Sequence, residues 1–244
     1  MRAPRVLLLG GTAEARALAA RLHPGVAVIS SLAGRVPDPA LPVGEVRIGG
    51  FGGAAGLRDW LWDNGIDAVV DATHPFAATI TANAATACAE LSLPHLILSR
   101  PAWRPDGVQL VESNSAAAEV VDRQSYSRVF LTTGRSGTAA FRGSDAWFLI
   151  RAVTPPDPVA LPPRHELLLS RGPYEYDGER ALMRDHHIDA LVTKNSGGAM
   201  TRPKIDAAAD LGVAVVMIDR PALPPGVITV ADVDEAVDWV ERLR

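Results

Sequence analysis

The sequence predicts an α/β protein built from two similar domains, each with a parallel sheet. Two observations lead there: an internal repeat of about half the chain, and short apolar runs that alternate with helical patterns. The segment 56–70 (GLRDWLWDNGIDAVV) aligns with 178–192 (GERALMRDHHIDALV), 122 residues later, and both end in an Ile-Asp-Ala strand. Segment 96–101 (LILSRP) aligns with 216–221 (VMIDRP) at an offset of 120, and Arg5-Val6 with Arg128-Val129 at 123. An offset near half of 244 residues is the mark of a duplicated domain, not of a short repeat.

The elements follow in order. Residues 6–9 form a short apolar run of the kind fully buried strands show, and 12–22 follow with Ala and Leu at helical spacing. Further strands are expected at 26–29, 46–48, 68–70 and 96–98, with helices at 54–63 and 77–91. A helical stretch at 115–122 closes the first half. The second half repeats the rhythm with strands at 129–131, 147–150, 167–169, 190–192 and 214–218 and a closing helix at 232–243. Strands alternating with helices of this length give parallel sheets with right-handed connections, and such sheets bind ligands at the carboxyl ends of their strands. The reading is therefore two Rossmann-like domains, 1–124 and 125–244, divided near Gln124, with the active site in the cleft between them. The proline-rich segments 152–164 and 221–226 are expected as surface loops.

Composition narrows the function classes. With 48% hydrophobic and 21% charged residues, the chain has the makings of two small cores. No apolar run approaches the roughly 20 residues that span a bilayer. Met1-Arg2-Ala3-Pro4 leads into a strand with no signal-peptide pattern, so a cytoplasmic protein is expected. The single cysteine, Cys88, offers neither a disulfide nor a thiol metal site and is expected as a small buried residue. A net charge of −4 argues against a general nucleic-acid binder.

The strand ends of the first half read Gly10-Gly11-Thr12-Ala13-Glu14-Ala15, Ser30-Ser31, Gly49-Gly50-Phe51 and Asp71-Ala72-Thr73-His74-Pro75-Phe76. The first is a variant dinucleotide fingerprint: Gly10 makes the tight turn and Ala15 takes the third position, but Thr12 replaces the middle glycine. A helix starting at Thr12 still presents N–H groups and a positive dipole end to a pyrophosphate, with Thr12 as a cap. About 20 residues on, where an NAD site expects an acid, the chain has Ser30-Ser31 followed by Arg35, a set suited to a 2′-phosphate and hence to NADP. Gly50, with Gly49, would permit close approach of an adenine or ribose. His74 could contact phosphate, ribose or substrate, act as an acid, or satisfy local hydrogen bonds. No histidine has companions at metal-ligand spacing, so no metal is expected.

The second half ends its strands differently: Thr132-Thr133-Gly134-Arg135-Ser136-Gly137, Arg151, Ser170-Arg171-Gly172-Pro173 and Thr193-Lys194-Asn195-Ser196-Gly197-Gly198, with Arg202 and Lys204 nearby. Cations gathered at ligand-bearing ends of an acidic protein point to an anionic ligand, of which a polycarboxylate is one class and a phosphate-rich molecule another. No Ser-His-acid triad and no recurring carboxylate pair supports covalent catalysis. A nicotinamide on one domain and an anionic acceptor on the other would make the cleft a place for hydride transfer. A non-catalytic NADP-binding sensor and a transferase with a nucleotide-linked donor are the competing classes.

Taken in order, Gly10-Gly11-Thr12-Ala13-Glu14-Ala15-Arg16, Asp71-Ala72-Thr73-His74-Pro75-Phe76-Ala77, Thr133-Gly134-Arg135, Arg171-Gly172-Pro173 and Lys194-Asn195-Ser196-Gly197-Gly198 resemble the precorrin-6A reductase family of cobalamin biosynthesis. The resemblance spans the whole chain. It implies an NADPH-dependent reduction of a double bond in an anionic tetrapyrrole, precorrin-6A, to give precorrin-6B, or of its cobalt-containing analogue. Neighbouring enzymes of that pathway are further candidate partners. By the same resemblance, Gly10, Gly11, Thr12, Ala13 and Glu14 hold the pyrophosphate and nicotinamide side, and Ser30, Ser31 and Arg35 the adenosine phosphate. Thr73, His74, Pro75 and Phe76 form the cofactor edge of the cleft. Thr133, Gly134, Arg135, Arg171, Gly172, Lys194, Asn195, Ser196, Gly197 and Lys204 fall on the substrate side, and the proton donor could be His74, Lys194, a substrate carboxyl or water.

Overall fold

The computed structural model describes residues 3–34 and 40–243. The chain divides into two compact units, Met1–Pro101 with Pro221–Arg244, and Ala102–Arg220.

Unit 1 contains β1 (Arg5–Leu9), α1 (Ala13–Leu22), β2 (Ala27–Leu32), β3 (Glu45–Ile48), α2 (Gly53–Asp63), β4 (Ala68–Asp71), α3 (Ala78–Leu91) and β5 (His95–Leu98). Unit 2 contains β6 (Val108–Val111), α4 (Asn114–Arg123), β7 (Arg128–Leu131), β8 (Trp147–Ala152), β9 (His165–Leu169), α5 (Tyr176–Asp185), β10 (Ala190–Lys194), α6 (Pro203–Leu211) and β11 (Ala214–Ile218). The chain then returns to unit 1 with β12 (Ile228–Val230) and α7 (Val233–Glu241).

The two sheets have the same plan. One runs β12-β5-β4-β1-β2-β3 and the other β6-β11-β10-β7-β8-β9, and every pairing is parallel. Each is the doubly wound order, in which the chain reverses direction beside the first strand. The strand ends on either side of that reversal are β1 and β4 in unit 1 and β7 and β10 in unit 2.

Sequence explains the buried strands directly. β1 reads RVLLL, with Val6 and Leu8 packing in one core and Leu7 and Leu9 in the other. A parallel strand covered on both faces needs apolar residues at both parities of its period. Each fully buried leucine contributes about 1.5–3 kcal/mol of transfer free energy. Thr12 caps α1 from an extended backbone, as expected of a helix that begins after a glycine turn.

The domain boundary differs from the expected cut at Gln124. β6 and α4 precede that point in sequence yet belong to the sheet of unit 2, while β12 and α7 complete unit 1. The closing strand and helix of each half are thus built into the other half's sheet. β6 and β12 escape a reading of apolar runs because both are outermost strands with partly exposed residues. Their pairing is set by the backbone groups of β11 and β5.

Candidate functional site

In unit 1 the polar strand ends converge on the turn between β1 and α1. Gly10 N–H donates to the Ser31 carbonyl at 3.0 Å, which fixes the turn against β2. A Cβ on Gly10 would meet the Ala15 Cβ at 3.4 Å, so the first and third fingerprint positions sit in close contact. Gly11 has φ +113 and open space where a side chain would project. Thr12 is committed: its Oγ1 accepts the Ala15 N–H at 3.1 Å and donates to the Ala72 carbonyl at 2.8 Å. That pair of bonds ties the α1 N-terminus to the end of β4. Ala13 and Glu14 form the first turn of α1, where backbone N–H groups lack intrahelical partners and face the positive end of the dipole.

Two shallow depressions flank this turn. One is lined by Gly10, Gly11, Ala15, Arg16, Ser30, Leu32, Ala40 and Pro42. The other is lined by Thr12, Glu14, Ala72, Thr73, Pro75, Leu98 and Arg100, where Glu14 and Arg100 form an ion pair at 2.8 Å. Arg100 and Arg16 are contributions the strand-end reading passed over.

The serine pair sits differently from a loop. Both serines lie within β2 and are buried, Ser30 beside the α1 turn and Ser31 alongside β3. Ser30 Oγ has no hydrogen-bond partner among the described residues, while Ser31 Oγ accepts from Arg47 Nη1 at 2.9 Å. Arg35 lies outside the described residues. Arg47, a β3 residue, also donates to the carbonyls of Gly49 at 3.0 Å and Gly50 at 3.1 Å. Its guanidinium stacks 3.8 Å above the Phe51 ring.

At the end of β4, Asp71 is buried and its Oδ1 accepts from both the backbone N–H of Thr73 (2.9 Å) and its hydroxyl (2.6 Å). His74 is exposed, and its Nδ1 accepts the Phe76 N–H at 3.2 Å, a bond that places the neutral ring's proton on Nε2. Pro75 and Phe76 complete a compact turn in which the His74 carbonyl accepts the Ala77 N–H at 2.7 Å.

Unit 2 lacks the helix that follows β1. After β7 come Thr132 to Gly137 and then only a short 3-10 turn, Thr138–Phe141. Thr133 is buried, Gly134 has φ +76, and Arg135 is exposed with its nearest partner Thr154 Oγ1 at 3.4 Å. The loop after β9 carries exposed Arg171 and then Gly172, and it is tied to the loop after β10 by Tyr174 N–H donating to the Met200 carbonyl at 3.2 Å.

The loop after β10 divides its residues between surface and interior. Lys194 and Ser196 are half-buried, and burial pulls the Lys194 ammonium below the usual lysine range. Gly197 has φ +67. Asn195 is 3% exposed, with its carboxamide bound to the Trp103 backbone. Lys204 is also buried: its Nζ donates to the Thr201 carbonyl at 2.8 Å and lies 5.0 Å from the Trp103 ring centroid. Asn195 and Lys204 therefore brace the loop from within, where the sequence reading expected them to face a ligand. Beneath them lies a buried ion pair, Arg151 with Glu179, joined at 2.7 and 2.8 Å. Glu179 gave no signal in sequence, since an acid in the first turn of a helix reads as an exposed dipole partner. Among the described residues no group of three His, Cys, Asp or Glu side chains is placed to hold a metal ion, and no helix is long and apolar enough to cross a membrane.

Comparison with known proteins agrees with this arrangement. The model of the family described as precorrin-6x reductase CbiJ/CobK matches residues 5–241. The chain is 67% identical to precorrin-6A reductase of Mycobacterium tuberculosis over 239 residues, covering 98% of both chains. It is 55% identical to precorrin-6A reductase of Rhodococcus erythropolis over 98% of both, and 30% identical to cobalt-precorrin-6A reductase of Priestia megaterium over 91% of this chain and 93% of that one. A solved structure of a CobK precorrin-6A reductase superposes with a TM-score of 0.90 at 37% identity, covering 98% of this chain and 97% of that one. With the fold, the strand-end motifs and near-complete coverage in agreement, the chain belongs to the precorrin-6x reductase CbiJ/CobK family.

Proposed function

We propose that the protein reduces one double bond of the precorrin-6A macrocycle to give precorrin-6B in cobalamin biosynthesis, with NADPH as the electron source. The single observation that carries the cofactor half is the asymmetry between the units: the turn after β1 opens an α-helix, whereas its counterpart after β7 opens only a 3-10 turn. A pyrophosphate is stabilised where a glycine turn lets the backbone approach and a helix N-terminus points at it. Gly11, where an added Cβ would meet nothing within 4 Å, supplies the approach. In this reading Gly10, Gly11, Ala13 and Glu14 receive the pyrophosphate side, with Thr12 holding the turn in shape. Ser30 and Ser31, with Gly50, line the adenosine side.

When bound, NADPH supplies a hydride to one carbon of the macrocycle, and the neighbouring carbon takes a proton. The chain's own part is to bind, orient and protonate. Arg135, Arg171, Lys194 and Ser196 are the polar groups of unit 2 that lie at or near the surface and suit the substrate's carboxylates. Thr133, Gly134, Gly172 and Gly197 shape those loops, and Asn195 and Lys204 brace them. His74 and Lys194 are the residues able to hold the proton. The identity of 30% with a cobalt-precorrin-6A reductase favours a second reading, in which the cobalt-containing macrocycle is the substrate.

The test is anaerobic loss of reduced-nicotinamide absorbance on mixing the protein with precorrin-6A and NADPH, with NADH as control. Oxidation of NADPH together with a two-electron change in the macrocycle supports the proposal. Binding of NADPH without oxidation by either macrocycle would favour a cofactor-sensing module instead.

A further inference from the structure

We infer that Arg47 is a specificity residue that recognises the 2′-phosphate of the nicotinamide dinucleotide. The inference rests on the cofactor reading above and assigns it a residue. Arg47 pairs in register with Ser31, and its side chain reaches past the ends of β2 and β3 to the Gly49 and Gly50 carbonyls. This is the adenosine side of a doubly wound sheet, where an acid would select NAD and a nearby arginine NADP. Residues 30–34 read Ser-Ser-Leu-Ala-Gly and include no acid.

The donor inventory leaves an edge of the guanidinium to spare. Nη1 makes two bonds, to Ser31 Oγ and the Gly49 carbonyl, and Nη2 makes one, to the Gly50 carbonyl. Of the five N–H groups of an arginine, the Nε–H and one Nη2–H have no acceptor among the described residues. The Nε–H and an Nη2–H together form one edge of the planar fork, and such an edge can take two oxygens of one phosphate.

The charge is also uncompensated. Arg5, Arg58, Arg100, Arg151 and Arg202 each pair with a carboxylate, and Arg47 pairs with none among the described residues. It is nevertheless partly desolvated, lying 3.8 Å from the Phe51 ring centroid and 5.3 Å from that of Trp60, and this burial lowers its proton affinity. A cation partly shielded by two rings and held by three acceptors, with no anion beside it among the described residues, is preorganised to receive one. The surroundings leave room, since a Cβ added at Gly49, Gly50 or Gly52 would meet nothing within 4 Å.

The experiment is calorimetric titration of the full chain with 2′,5′-ADP and with 5′-AMP, in the wild type, Arg47→Gln and Arg47→Lys, alongside NADPH titration of the wild type. The wild type should prefer the 2′-phosphorylated nucleotide. Arg47→Gln should weaken 2′,5′-ADP by about 10- to 100-fold while changing 5′-AMP by less than about threefold, the loss of a bidentate charged contact. Arg47→Lys, which keeps the cation and the stem, should fall between them and serves if the glutamine variant does not fold. Equal losses for both nucleotides, or no loss in either variant, overturn the assignment while leaving the cofactor reading intact. A wild type that binds neither NADPH nor 2′,5′-ADP overturns both.

Discussion

Asn195 grips the backbone of Trp103 at two points: its Oδ1 accepts the Trp103 N–H at 2.9 Å, and its Nδ2 donates to the Trp103 carbonyl at 3.3 Å. The main chain of Asn195 is used as well, its N–H donating to the Ile218 carbonyl at 2.8 Å and its carbonyl accepting from Arg220 Nε at 2.8 Å. Trp103 lies just inside the entry to unit 2 and Arg220 at its exit, so one residue fastens both ends of the unit's chain. Truncation in Asn195→Ala leaves the buried Trp103 N–H without its acceptor. The expected cost is about 2–3 kcal/mol, read as a lower urea midpoint with an unchanged slope. A midpoint within error of the wild type would show that the two bonds contribute nothing net.

Asn195 also shows where reading the sequence stops. An asparagine between Lys194 and Ser196 at a strand end looks like a ligand donor, and nothing local reveals that its partner lies 92 residues earlier. What was legible depended on short-range rules. The Gly10-Gly11-Thr12 turn, the cap on α1 and the alternation of strands and helices each follow from neighbours in sequence. Arg47 was missed because a lone cation in the four-residue strand EVRI resembles a solvent-facing charge. The exchange of β6 and β12 between sheets was illegible for a related reason: edge strands with exposed side chains are chosen by tertiary pairing, not by apolar pattern.

The Arg151–Glu179 pair should respond asymmetrically to mutation. Both side chains are under a tenth exposed, and the arginine lies 4.0 Å from the Tyr174 ring centroid and 4.6 Å from that of Phe130. Glu179→Ala strands Arg151 as a buried cation and should cost about 3–5 kcal/mol of stability. The double variant Arg151→Met/Glu179→Leu removes the desolvation cost with the charges and should recover most of that loss. Thermal and urea unfolding of the two variants settle it; equal destabilisation would mean that the site depends on the ion pair itself.

Lys204 predicts a pH dependence of the same sense as acid denaturation but at neutral to alkaline pH. Burial pulls its ammonium down to about 7, with Glu179 opposing and Arg151 reinforcing the shift. An unfolded lysine titrates near 10.4, so between about 7 and about 10 the unfolded chain binds more protons than the folded one. This group's contribution to stability therefore rises with pH across that window, by at most about 1.4 kcal/mol per unit, and is smallest below about 7. Lys204→Met keeps the stem against Trp103 and removes the titration. Measured between about pH 7 and about pH 9, the urea midpoint of the wild type should climb relative to the variant; parallel curves would mean that Lys204 stays charged in the fold.

The pH profile of turnover should distinguish the two candidate proton donors. A general acid works in its protonated form, so the rate falls as pH rises through its pKa. For Lys194, burial moves that alkaline limb below the ordinary lysine range. If Lys194 delivers the proton, Lys194→Met should lower kcat by about 10²- to 10⁴-fold and abolish the limb, whereas His74→Gln should leave the limb in place. If His74 delivers it, the limb should vanish in His74→Gln and persist in Lys194→Met. His74 accepts the Phe76 N–H on Nδ1 in an exposed turn, so its replacement should cost little stability, and a large loss of kcat there would be chemical.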